Sequence, residues 1–287
     1  MQSLKDLRRR ILATRDTLKI VRSMKLIAAA KLRGAQAAAT KGRPYALELH
    51  RSVQRISGRL GADAPEMWRR PDHIGCLDTL VITSDRGMCG GFNENLLRFV
   101  EWGCYEHETH NIPVKLYVIG RKGRQFLKTS GYDVERVPSE GGTEKAVRWV
   151  VNNMMLRFLS GESSGGFVVF NKYLSSTKYE VTSWNLLPLY TRNWGRGDDV
   201  EYIFEPERDL ALDFFASEFL METVRQAIVE SYAAEQVARI MAMSSATKNA
   251  DDMIAHLTSL YNKARQEAIT SELMDIVGGA EALGKCS

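Results

Sequence analysis

The sequence predicts an α/β protein: a long antiparallel coiled coil of the N- and C-terminal helices plus an inserted Rossmann-like three-layer α/β body. Three observations predict it. Residues 207–277 run 71 positions without one Gly or Pro. Helical throughout, that run spans ~107 Å at about 1.5 Å per residue, against roughly 40 Å for a compact domain of this length. Such a helix needs a partner for its apolar stripe, and residues 3–39 supply one, interrupted at Gly34. Between the two, short apolar runs alternate with helical stretches, the pattern of a mostly parallel sheet between helical layers.

Ser3 and Asp6 make a capping-box variant at the first helix start. Leu4, Leu7, Ile11, Thr14, Leu18 and Val21 keep the three-and-four spacing of a coiled-coil seam. The stripe is then expected to drift to Ile20, Met24 and Ile27, as on an unsupercoiled helix. From Ala28 the residues turn small and permit close approach of a partner helix. Gly42 and Pro44 are read as punctuation, with a further helix over 45–57.

Residues 58–75 read as a linker containing Pro65 and Pro71. The body follows. Strands are expected at 77–83 and 114–119, with helices at 93–104, 122–129 and 143–159. Strands at 167–173 and 180–189 flank a hairpin turn at Ser175, Ser176 and Thr177, and a last strand is expected at 202–204. Pro206 opens the long C-terminal helix. That helix carries Leu220, Val224, Ala227 and Ile228, then Ala234, Ala238, Ala242, Ala246 and Ala250 at four-residue spacing. Met253, Leu257, Leu260, Ala264 and Ala268 follow, then Ile269, Leu273 and Ile276. The N-terminal helix is shorter, so residues 266–277 are expected to protrude without a mate. The domain reading is 1–58 and 206–287 for the coiled coil and 75–205 for the body.

Charge supports the pairing. Residues 1–60 hold 15 Lys and Arg against 3 Asp and Glu, while residues 207–287 hold 7 against 13. Opposite charge beside an apolar seam selects partner and orientation. No apolar run approaches the ~20 residues of a membrane span, and the N-terminus lacks the apolar core of a secretory signal. With no presequence in view, a bacterial origin is expected. The four Cys have no CxxC spacing and read as reduced cytosolic thiols, with no disulfide framework.

The motifs point away from a self-contained active site. Ser84 to Gly91 lies where a phosphate sits on backbone N–H groups, but neither GxxxxGK[ST] nor GxGxxG is present, and a tight strand-to-helix turn accounts for its glycines. Gly120 to Arg124 reads as a solvated basic loop. His107 and His110 form no HExxH and have no third ligand, so a solvated helix end is the reading. Arg15, Lys19, Arg22 and Lys25 flank the first seam. A basic coiled-coil nucleic-acid binder is the alternative they raise, opposed by the acidic second helix and by the lack of stacking aromatics in residues 1–44. A nucleotide-binding enzyme using the 85–91 turn is the other alternative.

Three blocks carry a resemblance. They are Ser3-Leu4-Lys5-Asp6-Leu7-Arg8 through Ile20-Val21-Arg22-Ser23-Met24 to Leu32; Thr83-Ser84-Asp85-Arg86-Gly87-Met88-Cys89-Gly90-Gly91; and Tyr261-Asn262-Lys263-Ala264-Arg265-Gln266 onward to Gly278-Gly279-Ala280. The sequence resembles the gamma subunits of F-type ATP synthases over essentially its whole length. The resemblance implies a rotor shaft inside a hexamer of alternating alpha and beta subunits. Its body would stand on the epsilon subunit and the membrane c-ring. It implies no catalytic residue, cofactor or metal, no nucleic acid, and membrane association only through the complex. The implied location is the cytoplasmic face of the bacterial plasma membrane; the alternative is the matrix face of the mitochondrial inner membrane.

The same resemblance picks interface positions toward the hexamer. Met24 matches a residue near the beta subunits' lever region, with Lys25 an added charge beside it. Arg239 matches an Arg that touches a beta-subunit loop, and Gln266 its polar partner. Thr270 and Glu272 match positions near the tip that influence coupling, and Arg265 adjoins them. Each residue alone reads as an ordinary solvated or seam position. The redox cysteine insert of chloroplast members is missing, and the tail 281–287 runs slightly longer than in many members.

Overall fold

Helix α1 runs without a break from Leu4 to Ser57, and α5 from Arg208 to Gly284, in a computed structural model of the chain. The described residues are 3–60, 63–71, 74–138, 142–189, 203–205 and 207–284. The chain divides into two compact units, residues 28–239 and residues 1–27 with 240–287.

Unit 28–239 is built on one five-stranded sheet, β1 (Cys76–Ile82), β2 (Val114–Ile119), β3 (Val134–Arg136), β4 (Ser163–Ser175) and β5 (Lys178–Leu187), in the order β3-β2-β1-β4-β5. All neighbours are parallel except β4 and β5, the antiparallel hairpin. Helices α2 (Phe92–Thr109) and α3 (Arg121–Thr129) cover one face, closing on Val81, Leu116, Val118 and Val169. The other face carries Leu80, Ile82, Val168 and Phe170. It is covered by α4 (Gly142–Leu159), by Leu49 and Val53 of α1, and by Leu212 to Ala227 of α5. The three-layer body of the sequence reading is therefore present.

Several expectations need correction. α1 does not break at Gly34, Gly42 or Pro44. A proline inside a helix removes one hydrogen bond, but Ala39, Leu49 and Val53 bury the flanking turns, and that packing carries the helix across it. The seam stays on Val21, Met24 and Ala28, and leaves Ile20 at 61% and Ile27 at 57% exposure. Arg69 ends a short 3-10 turn (Glu66–Trp68) in the expected linker; Met67 and Trp68 pack into the core. β3 is a strand the sequence did not announce. Of the expected strand 202–204, Ile203 and Phe204 are in no strand, and Tyr202 lies outside the described residues, as does Pro206. α5 continues through Gly278 and Gly279.

In unit 1–27 with 240–287, Leu7 and Ile11 pack on Leu257, Tyr261 and Ala264. Arg22, further along α1, pairs with Asp251, which lies earlier in α5, so the helices run antiparallel. The seam on α5 uses Ile254 and Tyr261; Leu260 is exposed, and Met253, also exposed, still receives the Thr14 hydroxyl of α1 on its Sδ at 3.9 Å. At the start of α1, the Asp6 N–H donates to Ser3 Oγ at 3.2 Å, and the Ser3 hydroxyl donates to the Asp6 carboxylate at 2.9 Å.

Candidate functional site

The strand-to-helix turn after β1 spends its polar groups on itself. The Thr83 hydroxyl donates to the Ile119 carbonyl at 2.9 Å and accepts from the Gly123 N–H at 3.1 Å. The Ser84 N–H donates to Asn93 Oδ1, Asn93 Nδ2 donates to Ser84 Oγ, and the Ser84 hydroxyl donates to the Arg86 carbonyl. Asp85 accepts from the Arg121 N–H at 3.0 Å, tying the turn to the start of α3. Met88 and Gly90 take the left-handed conformation, at φ 63 and 57. This is the geometry of a structural turn. At the end of α2, His110 Nδ1 lies 2.8 Å from the Glu106 carbonyl on an exposed surface. Among the described residues no group of three His, Cys, Asp or Glu is placed to hold a metal.

Two buried ionic groups escaped the sequence reading. Asp78 in β1 is fully buried and receives Arg157 Nε at 3.1 and 3.3 Å; Arg157 also reaches Glu162. Burial pushes the Asp78 carboxyl up, and the Arg157 guanidinium holds it back. The signal was present: an Asp inside an otherwise apolar strand is costly unless paired. The second is Glu230 of α5, 1% exposed, whose Oε1 accepts from Arg43 and from Gln226 Nε2 at 3.0 Å. Gln226 Nε2 also donates to the Ala39 carbonyl of α1. Here the charge reading of the two helices is realised locally, by Arg43–Glu230 and Arg22–Asp251.

The expected interface residues do not form one cluster. Met24 is half-buried beside the seam and Lys25 is exposed, a few residues past Arg22 and its partner Asp251. Arg265, Gln266, Thr270 and Glu272 are all exposed, with the Thr270 hydroxyl donating to the Gln266 carbonyl at 2.9 Å. Asp251 and Gln266 are 15 residues apart on α5, or ~22 Å at about 1.5 Å per residue. Arg239 differs from the rest. Its side chain is 11% exposed and is held by Glu235 at 2.7 Å and Gln236 at 3.1 Å.

The sequence reading expected residues 266–277, with Ile269, Leu273 and Ile276, to lack a mate. Ile269, Leu273, Met274, Ile276 and Val277 are between 48% and 68% exposed. They lie beyond the cluster that Leu7 and Ile11 of α1 make with Leu257, Tyr261 and Ala264. A contiguous exposed apolar surface on a helix marks an interaction site. No described helix is long and apolar enough to cross a membrane.

Known proteins share this arrangement. The protein-family model described as ATP synthase matches residues 3–283. The ATP synthase gamma chain of Anaeromyxobacter dehalogenans is 38% identical, over 99% of this chain and 100% of its own. That of Desulforudis audaxviator is 36% identical over the same shares. Among solved structures, the rotor of the Euglena gracilis mitochondrial ATP synthase superposes with a TM-score of 0.68. It is 20% identical and covers 93% of this chain and 98% of that one. The central stalk and c-ring structure from Tetrahymena thermophila gives 0.59 at 21% identity, over 79% and 99%. At such identity these two structures attest the fold.

Proposed function

This chain belongs to the ATP synthase gamma-chain family, and from that premise we propose that it is a central-stalk rotor. It carries torque between a membrane c-ring driven by ion flow and a hexamer of alternating alpha and beta subunits, during ATP synthesis or hydrolysis. In this reading residues 1–58 and 206–287 are the shaft and 75–205 the body that meets the epsilon subunit and the ring. The chain holds no catalytic site. It acts through contacts that differ among the beta-subunit conformers, because an effector shifts an equilibrium only by its differential affinity. Its place is peripheral, at the cytoplasmic face of a bacterial plasma membrane, held there by the complex.

The observation that supports this best is the unbroken 77-residue helix α5, which packs on Leu7 and Ile11 of α1 through Leu257, Tyr261 and Ala264 and carries exposed apolar side chains beyond them. A continuous hydrogen-bonded helix resists twisting, and its unpaired end offers Arg265, Gln266, Thr270 and Glu272 to a surrounding sleeve. Met24, Lys25 and Arg239 complete the proposed contact set, Arg239 after release from Glu235.

Reconstitution tests the proposal. The full-length chain, mixed with alpha and beta subunits, should co-purify as one copy per hexamer. A bead fixed to its α/β body should rotate when ATP is added. A hexamer that assembles and hydrolyses ATP equally well with and without the chain overturns it.

A further inference from the structure

Within unit 28–239, a groove of about 580 Å³ opens between residues 43–54 of α1, residues 219–230 of α5 and the β4–β5 hairpin. That volume is typical of a small-molecule site. The groove is charged at one end and apolar at the other. Arg43, Lys172 and Glu230 line the charged end, and Arg43 Nη2 donates to the Tyr173 carbonyl at 3.3 Å, fixing that end beside the hairpin. Val53 lines the other end, ten residues further along α1, or ~15 Å at about 1.5 Å per residue. Between them lie Leu47, Trp184 and the His50 ring, stacked on Phe219 at 5.9 Å. Burial holds the His50 pKa below its ordinary value, so the ring adds no charge at neutral pH.

The two cations are differently engaged. Arg43 spends Nε and Nη2 on Glu230 Oε1, while Glu230 Oε2 is buried out of reach of the groove, without a hydrogen-bond partner. Among the described residues, Lys172 makes no hydrogen bond or ion pair. It shares the inward face of β4 with Val168 and Phe170. Glu180 stands opposite it on β5, but is exposed and lies outside the groove lining. The lining thus carries two cations and one anion, and one further negative charge balances it.

We infer that this groove binds a single-chain amphipathic carboxylate, a fatty-acid anion, whose head pairs with Lys172 and whose chain lies along Leu47, Trp184 and Phe219 toward Val53. The head gains a charge-assisted hydrogen bond, and the chain covers apolar side chains such as Leu47, which is 49% exposed. A neutral head would leave Lys172 without a counter-charge, and an ammonium would add a third cation. The site is independent of the torque reading, since it needs only the fold of unit 28–239.

The test compares octanoate with 1-octanol and octylammonium, which share its apolar chain and differ in the charge of the head. Saturation-transfer NMR titration on the full-length chain measures all three. Octanoate should bind saturably at one site, at least tenfold tighter than either of the others. Lys172→Gln should shrink the advantage of octanoate over 1-octanol to threefold or less. Leu47→Trp fills the groove from an exposed position and should weaken octanoate at least tenfold. Should Lys172→Gln fail to fold, Leu47→Trp and the comparison of heads still decide. Binding of 1-octanol or octylammonium as tight as that of octanoate overturns the inference, as does undiminished octanoate binding to either variant. Absence of saturable octanoate binding also overturns it.

Discussion

Arg157 of α4 points its Nε at both carboxylate oxygens of Asp78, at 3.1 and 3.3 Å, beneath a strand in which Asp78 is wholly buried. Removing one partner of such a pair strands a charge, while replacing both with apolar groups costs far less. Arg157→Leu should therefore destabilise the chain by about 3 kcal/mol or more, and Asp78→Leu with Arg157→Leu should recover most of it. The sign of the pH effect follows from the raised carboxyl. Above 3.8, the ordinary value, the unfolded chain ionises before the folded one does. Stability is thus lost as pH rises toward the folded-state value. Arg157→Leu removes the opposing cation and widens that window. Urea unfolding at pH 5 and pH 7 should show a steeper loss in the single variant than in the parent, and no such slope in the double variant.

The Cys104 thiol, on the buried face of α2, is pushed up to about 11, by burial first and then by Glu108 and Glu101. Between the ordinary 9.0 and that value the unfolded chain loses its thiol proton and the folded chain keeps it. Stability should fall across pH 9 to 11, by up to roughly 2 kcal/mol. Cys104→Ala lowers stability at every pH by its lost packing, but should remove this part of the slope. Parallel slopes in parent and variant would count against it.

Two glycines of α1 should respond oppositely to alanine. At Gly34 a Cβ meets nothing within 4 Å, so Gly34→Ala should stabilise the helix by about 0.5–1 kcal/mol. At Gly42 the Cβ would stand 2.7 Å from Gln226 Oε1, and Gln226 is held by both Ala39 and Glu230. Gly42→Ala should lose that helix gain and cost about 1 kcal/mol net, through the disturbed hydrogen bonds. Thermal unfolding of the two variants checks the contrast in sign.

Those glycines also show where the sequence was legible. Gly34, Gly42 and Pro44 are helix breakers by local propensity, so a break was the natural reading; burial of Ala39 and Leu49 overrules it. Alternation placed β1, β2 and the hairpin because their apolar, β-branched runs are long. β3 has three residues and one buried side chain, too little pattern to announce a strand. Exposed Ile20 and half-buried Met24 separate only once the partner helix is known, because both belong to the same apolar stripe. The expectation of an unmated stretch at 266–277 came from helix lengths alone. The half-satisfied Glu230 was invisible, since its meaning lies in Arg43 and Gln226, brought together by the fold.

The apolar end of α5 gives the last prediction. Ile269, Leu273 and Ile276 are 48%, 57% and 68% exposed and contribute little to the core. Exchanging all three for Ser should leave the unfolding transition of the isolated chain within about 0.5 kcal/mol, as expected for surface sites. If this end is received by the alpha and beta subunits, the same exchange removes apolar area from that contact. At about 25 cal/mol per Å² the loss is on the order of 2–3 kcal/mol for three half-exposed aliphatic side chains, or a 30- to 150-fold weaker assembly. Removing residues 266–287 should do more, weakening assembly or the coupling of ATP hydrolysis to rotation while the α/β body still unfolds at its original temperature. Melting of the body on truncation would mean that this segment packs on the chain's own core. Full assembly of the triple Ser variant would move the contact to the polar residues Gln266, Thr270 and Glu272.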